Sequence, residues 1–108
     1  MTNTNFRFQA NDSDPYLTQR ITSASPEQLI AYIYDAILVA CTNQDQERAL
    51  RGLMALIDSL NFDYQDIALP MFQLYQYCLD QVRRRNYEEV KYLIGEFKTA
   101  WAEAMNVK

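Results

Sequence analysis

The side chains that most often perform catalysis are scarce in this 108-residue chain. Histidine is absent, which removes the commonest general base and the commonest metal ligand. The two cysteines, Cys41 and Cys78, do not form a CxxC motif and cannot make a structural zinc site alone. Serine and cysteine also lack the adjacent histidine that usually activates them as nucleophiles. We therefore expect no enzymatic activity, no cofactor and no metal site.

Carboxylates are the remaining groups with catalytic chemistry, since the chain has 14 Asp and Glu residues. A hydrolytic pair would need two of them facing one another across a substrate. Most, however, fall on polar helix faces or in first helical turns, where hydration and the helix dipole account for them. The two glycines are isolated, so no glycine-rich phosphate loop occurs. The sequence thus favours a binding module over an enzyme.

The charge balance also argues against a nucleic-acid partner. The net charge is −4 and the isoelectric point is near 4.6, so the fold as a whole should not attract phosphate backbones. The one dense basic feature is the run Arg83-Arg84-Arg85. Cations are favoured at the C-terminal end of a helix, and we interpret this run as such an end.

The first predicted helix has a strong start signal and covers residues 26–42. Ser25 is a suitable N-cap, Pro26 fits the first helical position, and Gln28 can complete a capping box. Apolar residues then recur with helical spacing and predict a buried face. That face comprises Leu29, Ile30, Ile33, Tyr34, Ile37, Leu38 and Cys41.

Three further amphipathic segments follow, joined by short polar connections. The second helix is predicted over about residues 45–60, and the third begins near Ile67, with Pro70 confined to its first turn. The fourth follows Asn86 as N-cap, with Glu89 as its capping-box partner. Four such helices with short connections predict an all-α, antiparallel up-down-up-down four-helix bundle. Cys41 and Cys78 both fall in apolar stripes, so we expect them to be core residues.

The chain divides into a tail, an arm and the bundle. Residues 1–15 are polar and should form a flexible tail, and residues 16–25 form an N-terminal arm with Tyr16, Leu17 and Ile21 as apolar anchors. Residues 26–108 form the bundle. No apolar run approaches the ~18 residues that cross a bilayer, and the N-terminus does not resemble a signal peptide. We therefore expect a cytoplasmic protein without a membrane span.

The first helix is richer in apolar residues than a surface helix needs to be. Between Pro26 and Cys41 its polar side chains are Glu27, Gln28 and Asp35 alone. An amphipathic surface helix normally has a broad polar face. The extra cover can come from the rest of the chain, from the N-terminal segment, from a second copy, or from a partner helix that docks in a groove.

Several residues outside the predicted core stripes are candidates for that contact. Tyrosine is enriched at interfaces because it combines a large apolar area with a polar tip. The candidates on the bundle are Tyr32, Ala36 and Val39 of the first helix, Tyr77 of the third and Tyr92 of the fourth.

Several segments, in order along the chain, are similar to a known family. They are DPY at 14–16, ITSASPEQLIAYIYDAIL at 21–38, IDSLNF at 57–62, LYQYC at 74–78 and the stretch from Phe97 to Trp101. Together they resemble FliS, the flagellar export chaperones that serve flagellin. Both helical hairpins look shorter than in that family, and Ala36 stands where the family usually has glycine.

This resemblance implies a chaperone without ATPase activity. Family members bind the disordered C-terminal region of flagellin in the cytoplasm and prevent its premature polymerisation before type III export. The client wraps around the bundle in extended and helical pieces, and the chaperone's N-terminal segment can cover part of the apolar site. On this interpretation the arm residues Tyr16, Leu17 and Ile21 and the five bundle candidates contact the client.

Two alternatives remain at the level of sequence. The spare face of the first helix can pair with its own copy in a structural homodimer. The bundle can also act as an adapter that sequesters another small flagellar protein, such as an anti-sigma factor.

Overall fold

The computed structural model of the chain describes residues 25–105, which form four α-helices and no β-strand. In chain order these are α1 (Pro26–Thr42), α2 (Gln46–Asp58), α3 (Gln65–Arg83) and α4 (Tyr87–Met105). The predicted all-α class is confirmed. The predicted tail and the arm residues Tyr16, Leu17 and Ile21 lie outside the described residues.

The helices form an antiparallel bundle in which α1 packs against α2 and α4, and α3 packs against the same two helices. The indole Nε1 of Trp101, near the end of α4, donates a 3.0 Å hydrogen bond to the carbonyl of Glu27 at the start of α1. At the opposite end, the Gln46 amide at the start of α2 donates to the carbonyl of Val82, near the end of α3 (3.2 Å). These contacts confirm the predicted four-helix bundle.

The start of α1 has the predicted capping box. Ser25 Oγ accepts from the backbone N–H of Gln28, and Gln28 Oε1 accepts from the backbone N–H of Ser25, both at 3.2 Å. Asp45 caps α2 in a similar way, accepting from the N–H of Arg48 at 3.2 Å. Because caps satisfy orphan donors locally, both helix starts could be located from the sequence.

The start of α3 was predicted wrongly. The helix begins at Gln65, so Pro70 lies in its second turn rather than its first. A proline there leaves the carbonyl of Asp66 without its N–H partner. Asp66 lies in the exposed first turn, where water can hydrate that carbonyl, so the cost is small. An edge-to-face contact between Phe62 and Phe72, with ring centroids 5.9 Å apart, joins the preceding connection to the helix.

The start of α4 agrees with the prediction in position, but its side chains bond elsewhere. The Asn86 amide donates to Gln81 Oε1 at 2.7 Å. The Glu89 carboxylate accepts from the hydroxyl of Tyr77 at 3.0 Å. The predicted Asn86–Glu89 capping pair is therefore replaced by contacts between α3 and α4 and within their connection.

The core runs along the bundle axis and contains both cysteines, as predicted. Cys41 and Cys78 are free and buried. Burial raises the pKa of the Cys41 thiol to about 11 and that of Cys78 to about 12, so both stay protonated at neutral pH. Helices α1 and α2 approach closely at Gly52, where an added Cβ would lie 2.5 Å from Ile37 Cγ1.

Candidate functional site

An apolar groove of about 480 Å³ opens at the end of the bundle where α1 and α3 begin and α2 and α4 end. This volume is typical of ligand-binding sites in proteins. Its lining is apolar or aromatic apart from two residues, Ser59 and Asn61. The apolar and aromatic lining residues are Ile30, Tyr34, Leu60, Tyr64, Ile67, Ala68, Met71, Tyr75, Phe97, Ala100, Trp101, Ala104 and Met105.

Unequal helix lengths explain why the bundle is open at this end. Helix α2 has 13 residues, whereas α3 and α4 have 19 each. At 1.5 Å per residue, α2 is about 9 Å shorter than its neighbours. Helix α2 ends at Asp58, and the hydroxyl of its C-cap residue Ser59 donates to the Leu56 carbonyl at 2.6 Å. Among residues 25–105, α2 therefore does not cover the last turns of α4 or the first turn of α3.

Two of the lining residues, Tyr34 and Tyr75, carry a pair of buried hydroxyl groups. The hydroxyls of Tyr34 on α1 and Tyr75 on α3 are 2.8 Å apart, and the two residues are 2% and 3% exposed. Burial raises the pKa of both phenols, although the hydrogen bond with Tyr75 partly opposes this at Tyr34. An edge-to-face contact between Tyr75 and Phe97, with centroids 6.0 Å apart, fixes the ring of Tyr75.

This pair has one hydrogen-bond donor left over. Two neutral hydroxyls carry two protons, and the bond between Tyr34 and Tyr75 uses one of them. No other residue in the range 25–105 accepts the second proton. A buried donor without an acceptor costs free energy, so a ligand that offers an acceptor to this pair gains affinity there.

The rim of the groove exposes large apolar side chains. Tyr64 and Ile67, at the start of α3, are 63% and 65% exposed, and Met105 at the end of α4 is also exposed. Trp101 is half-buried, and its hydrogen bond to Glu27 closes the side of the groove between α1 and α4. Apolar groups grouped around a concave surface are typical of a binding site for another apolar surface.

The structure places the five bundle residues proposed from the sequence elsewhere. Val39, Tyr77 and Tyr92 are exposed, whereas Tyr32 and Ala36 of α1 are half-buried. None of the five lines the groove. The Tyr77 hydroxyl donates to Glu89 across α3 and α4. The three arm residues Tyr16, Leu17 and Ile21 lie outside the described residues.

The predicted excess of apolar surface on α1 is divided between two places. Ile30 and Tyr34 lie in the groove, and Val39, on α1 but outside the groove, is 59% exposed. An ion pair between Asp35 Oδ1 and Lys98 Nζ, at 2.5 Å, ties α1 to α4. Helix α1 is therefore not fully enclosed by the described part of its own chain.

The groove residues missed by sequence reasoning fall into two groups. Tyr64 falls in the segment that the sequence indicated as a connection, and Ile67 and Ala68 lie at the predicted start of the third helix, before its apolar stripe begins at Met71. The second group continues the apolar stripe of α4 and was therefore predicted to lie in the core: Trp101, Ala104 and Met105. The sequence signal for these residues is that the apolar stripe of α2 is shorter than that of α4, so that the end of α4 extends beyond α2.

Within residues 25–105, no group of three or more His, Cys, Asp or Glu side chains is arranged to bind a metal ion. In the same range, no helix combines the length and the apolar character needed to cross a bilayer. Comparison with known proteins yields no match to a family model, a curated protein or a solved structure.

Proposed function

We propose that this protein is a cytoplasmic secretion chaperone of the FliS type, which binds the disordered C-terminal region of flagellin and prevents its polymerisation before export. The observation that supports this most directly is the apolar groove between the start of α1, the start of α3 and the end of α4. The proposed role consists of binding alone and requires no catalytic group.

The groove suits an amphipathic helix that folds as it binds. A helix in an apolar groove inserts side chains spaced three or four residues apart. Each large apolar side chain that leaves water contributes ~1.5–3 kcal/mol. Ordering a disordered segment costs ~2–5 kcal/mol or more. Three or four inserted side chains therefore offset the ordering cost, and further contacts of the wrapped client must offset the translational and rotational freedom lost on association.

The exposed face of α1 around Val39 provides a second contact for the same client. Val39 is 59% exposed and lies on the side of α1 that also contains Tyr32 and Ala36. A client that wraps around the bundle crosses more than one surface, so the sequence-based candidates extend the groove site. We assign the groove the larger share of the affinity because its concave apolar lining can enclose inserted side chains.

The test is a titration of the full chain with the C-terminal segment of flagellin from the same organism, followed by calorimetry. Ile67→Asp and Val39→Asp are a matched pair, since both residues are well exposed and neither change should unfold the bundle. We expect Ile67→Asp to weaken binding by about tenfold or more and Val39→Asp to weaken it less. Absence of binding to the unaltered chain refutes the flagellin assignment, and loss with Val39→Asp alone refutes the groove as the main site.

A structural homodimer is the second candidate, and the exposure of Val39 favours it. In a twofold dimer the α1 face would pack on its own copy. Sedimentation equilibrium of the full chain separates the two functions. A tight dimer that Val39→Asp converts to monomers, together with no affinity for flagellin peptides, would replace the chaperone proposal.

A further inference from the structure

Acidic residues lie beside groove-lining residues in the chain, on all four helices. Five of them each adjoin a groove-lining residue in the chain, and the sixth, Glu27, accepts the indole hydrogen bond of Trp101 through its carbonyl. All six are exposed, and none forms an ion pair within residues 25–105. We call this set the acidic rim: Glu27, Asp58, Asp63, Asp66, Glu96 and Glu103.

The basic residues of the described chain are concentrated away from the acidic rim. Lys98 is the one cation adjoining a groove residue, and it is paired with Asp35 at 2.5 Å. The others lie in the first half of α2, at the end of α3 and at the start of α4, which is the opposite end of the bundle. They are Arg48, Arg51, Arg83, Arg84, Arg85 and Lys91. The net charge of the whole chain conceals this separation.

A second, independent feature indicates that the groove takes a ligand. Tyr34 and Tyr75 line the groove, and their buried hydroxyl pair carries one proton that lacks an acceptor among residues 25–105. An apolar ligand with an amide or hydroxyl oxygen at this point would satisfy that donor. The acidic rim and the hydroxyl pair therefore describe one occupant, apolar in the middle, able to accept a hydrogen bond, and positively charged at its borders.

We propose that the segment held in the groove is an amphipathic helix whose apolar face is bordered by lysine or arginine residues. Long basic side chains lay their aliphatic stems along an apolar rim while the charged ends reach the carboxylates. Complementary charge accelerates association and rejects acidic competitors. This inference rests on the proposed function in that the groove is the client site, and it adds the charge class of the client.

The experiment compares two synthetic helical peptides that share an apolar face of leucine and alanine with one central asparagine. The border positions are lysine in one peptide and glutamate in the other. Each is titrated into the full chain at ~20 mM and ~300 mM salt, because screening weakens contacts between exposed charges. We expect the lysine peptide to bind about tenfold more tightly at low salt, with a smaller difference at high salt.

Two triple variants locate the effect. Asp63→Asn, Asp66→Asn and Glu103→Gln neutralise half of the acidic rim, and they should remove most of the preference for the lysine peptide. The matched control, Glu47→Gln, Asp80→Asn and Glu88→Gln, removes the same charge at the opposite end and should retain the preference.

The outcomes separate this inference from the proposed function. Equal binding of both peptides, or an equal loss of preference in both triple variants, overturns the inference and leaves the groove as a client site. Failure of both peptides to bind overturns the groove site and the inference together. A rim-dependent preference for lysine, without affinity for the flagellin segment, supports the inference and refutes the flagellin assignment.

Discussion

Trp101 and Glu27 are 74 positions apart in the chain, yet the indole N–H of one donates a 3.0 Å hydrogen bond to the backbone carbonyl of the other. This contact joins the last turns of α4 to the first turn of α1. It also fixes one wall of the apolar groove, because Trp101 lines that groove.

Trp101 should report occupation of the groove. It is the only tryptophan of the chain and is half-buried, so water reaches part of its ring. An apolar helix in the groove would displace that water, and the fluorescence emission should move to shorter wavelength. Titration with the flagellin segment measures the shift. The Ile67→Asp variant should show it only at higher peptide concentration, and an unchanged spectrum at saturation would contradict the groove as the site.

The Tyr34–Tyr75 pair should behave as one unit in stability measurements. Tyr34→Phe or Tyr75→Phe alone removes the shared bond and leaves the remaining buried hydroxyl without its partner, at a cost of ~1–2 kcal/mol. The double variant removes both polar groups, so its loss should be smaller than the sum of the two single losses. Urea unfolding of the four proteins completes this cycle. Strict additivity would show that the two hydroxyls do not interact in solution.

Stability should fall at alkaline pH because of the buried thiols. Their ordinary pKa is 9.0, and in the folded protein burial raises it to about 11 for Cys41 and about 12 for Cys78. Below pH 9 both thiols are protonated in the folded and unfolded states, so they contribute no pH dependence to the free energy of unfolding. Above pH 9 the unfolded chain loses protons that the folded chain keeps, and the free energy of unfolding decreases.

Urea unfolding at a series of pH values from 7 upward measures how the free energy of unfolding changes with pH. The variant Cys41→Ala/Cys78→Ala should start less stable and decline less steeply. Some slope should remain above pH 10, because burial also raises the pKa of Tyr34 and Tyr75 from their ordinary value of 10.0. If the free energy of unfolding fell equally steeply with pH in the unaltered chain and in the double variant, the thiols would not be the cause of the decline.

The two glycines should respond oppositely to alanine. At Gly52 the new Cβ would lie 2.5 Å from Ile37 Cγ1 in the contact between α1 and α2, so Gly52→Ala should destabilise the bundle by ~1–3 kcal/mol. At Gly95, within α4, no heavy atom lies within 4 Å of the new Cβ. Gly95→Ala should therefore stabilise by ~0.5–1 kcal/mol through helix propensity. Thermal or urea unfolding compares both with the unaltered chain, and a neutral Gly52→Ala would contradict the close packing.

The sequence predicted those features, such as helix starts and buried helix faces, that depend on residues close together in the chain. The start of α1 followed from Ser25 and Gln28, whose side chains bond to each other's backbone within four positions. The core positions of Ile33, Ile37 and Cys41 followed from helical spacing. The start of α3 did not follow, because the cost of Pro70 depends on whether water can reach the carbonyl of Asp66, and that is a property of the folded surface.

The amino-acid sequence by itself determined four amphipathic helices and their antiparallel order, because capping, periodicity and short connections act over a few residues. The tertiary structure alone decided that Tyr34 and Tyr75 meet, and that the candidate site lies at the end of the bundle rather than on the face of Val39. The physical reason is that a groove forms where neighbouring helices do not fill the space between them. It arises where α2 ends short of the first turn of α3 and the last turns of α4, and such a difference appears only when the helices lie side by side.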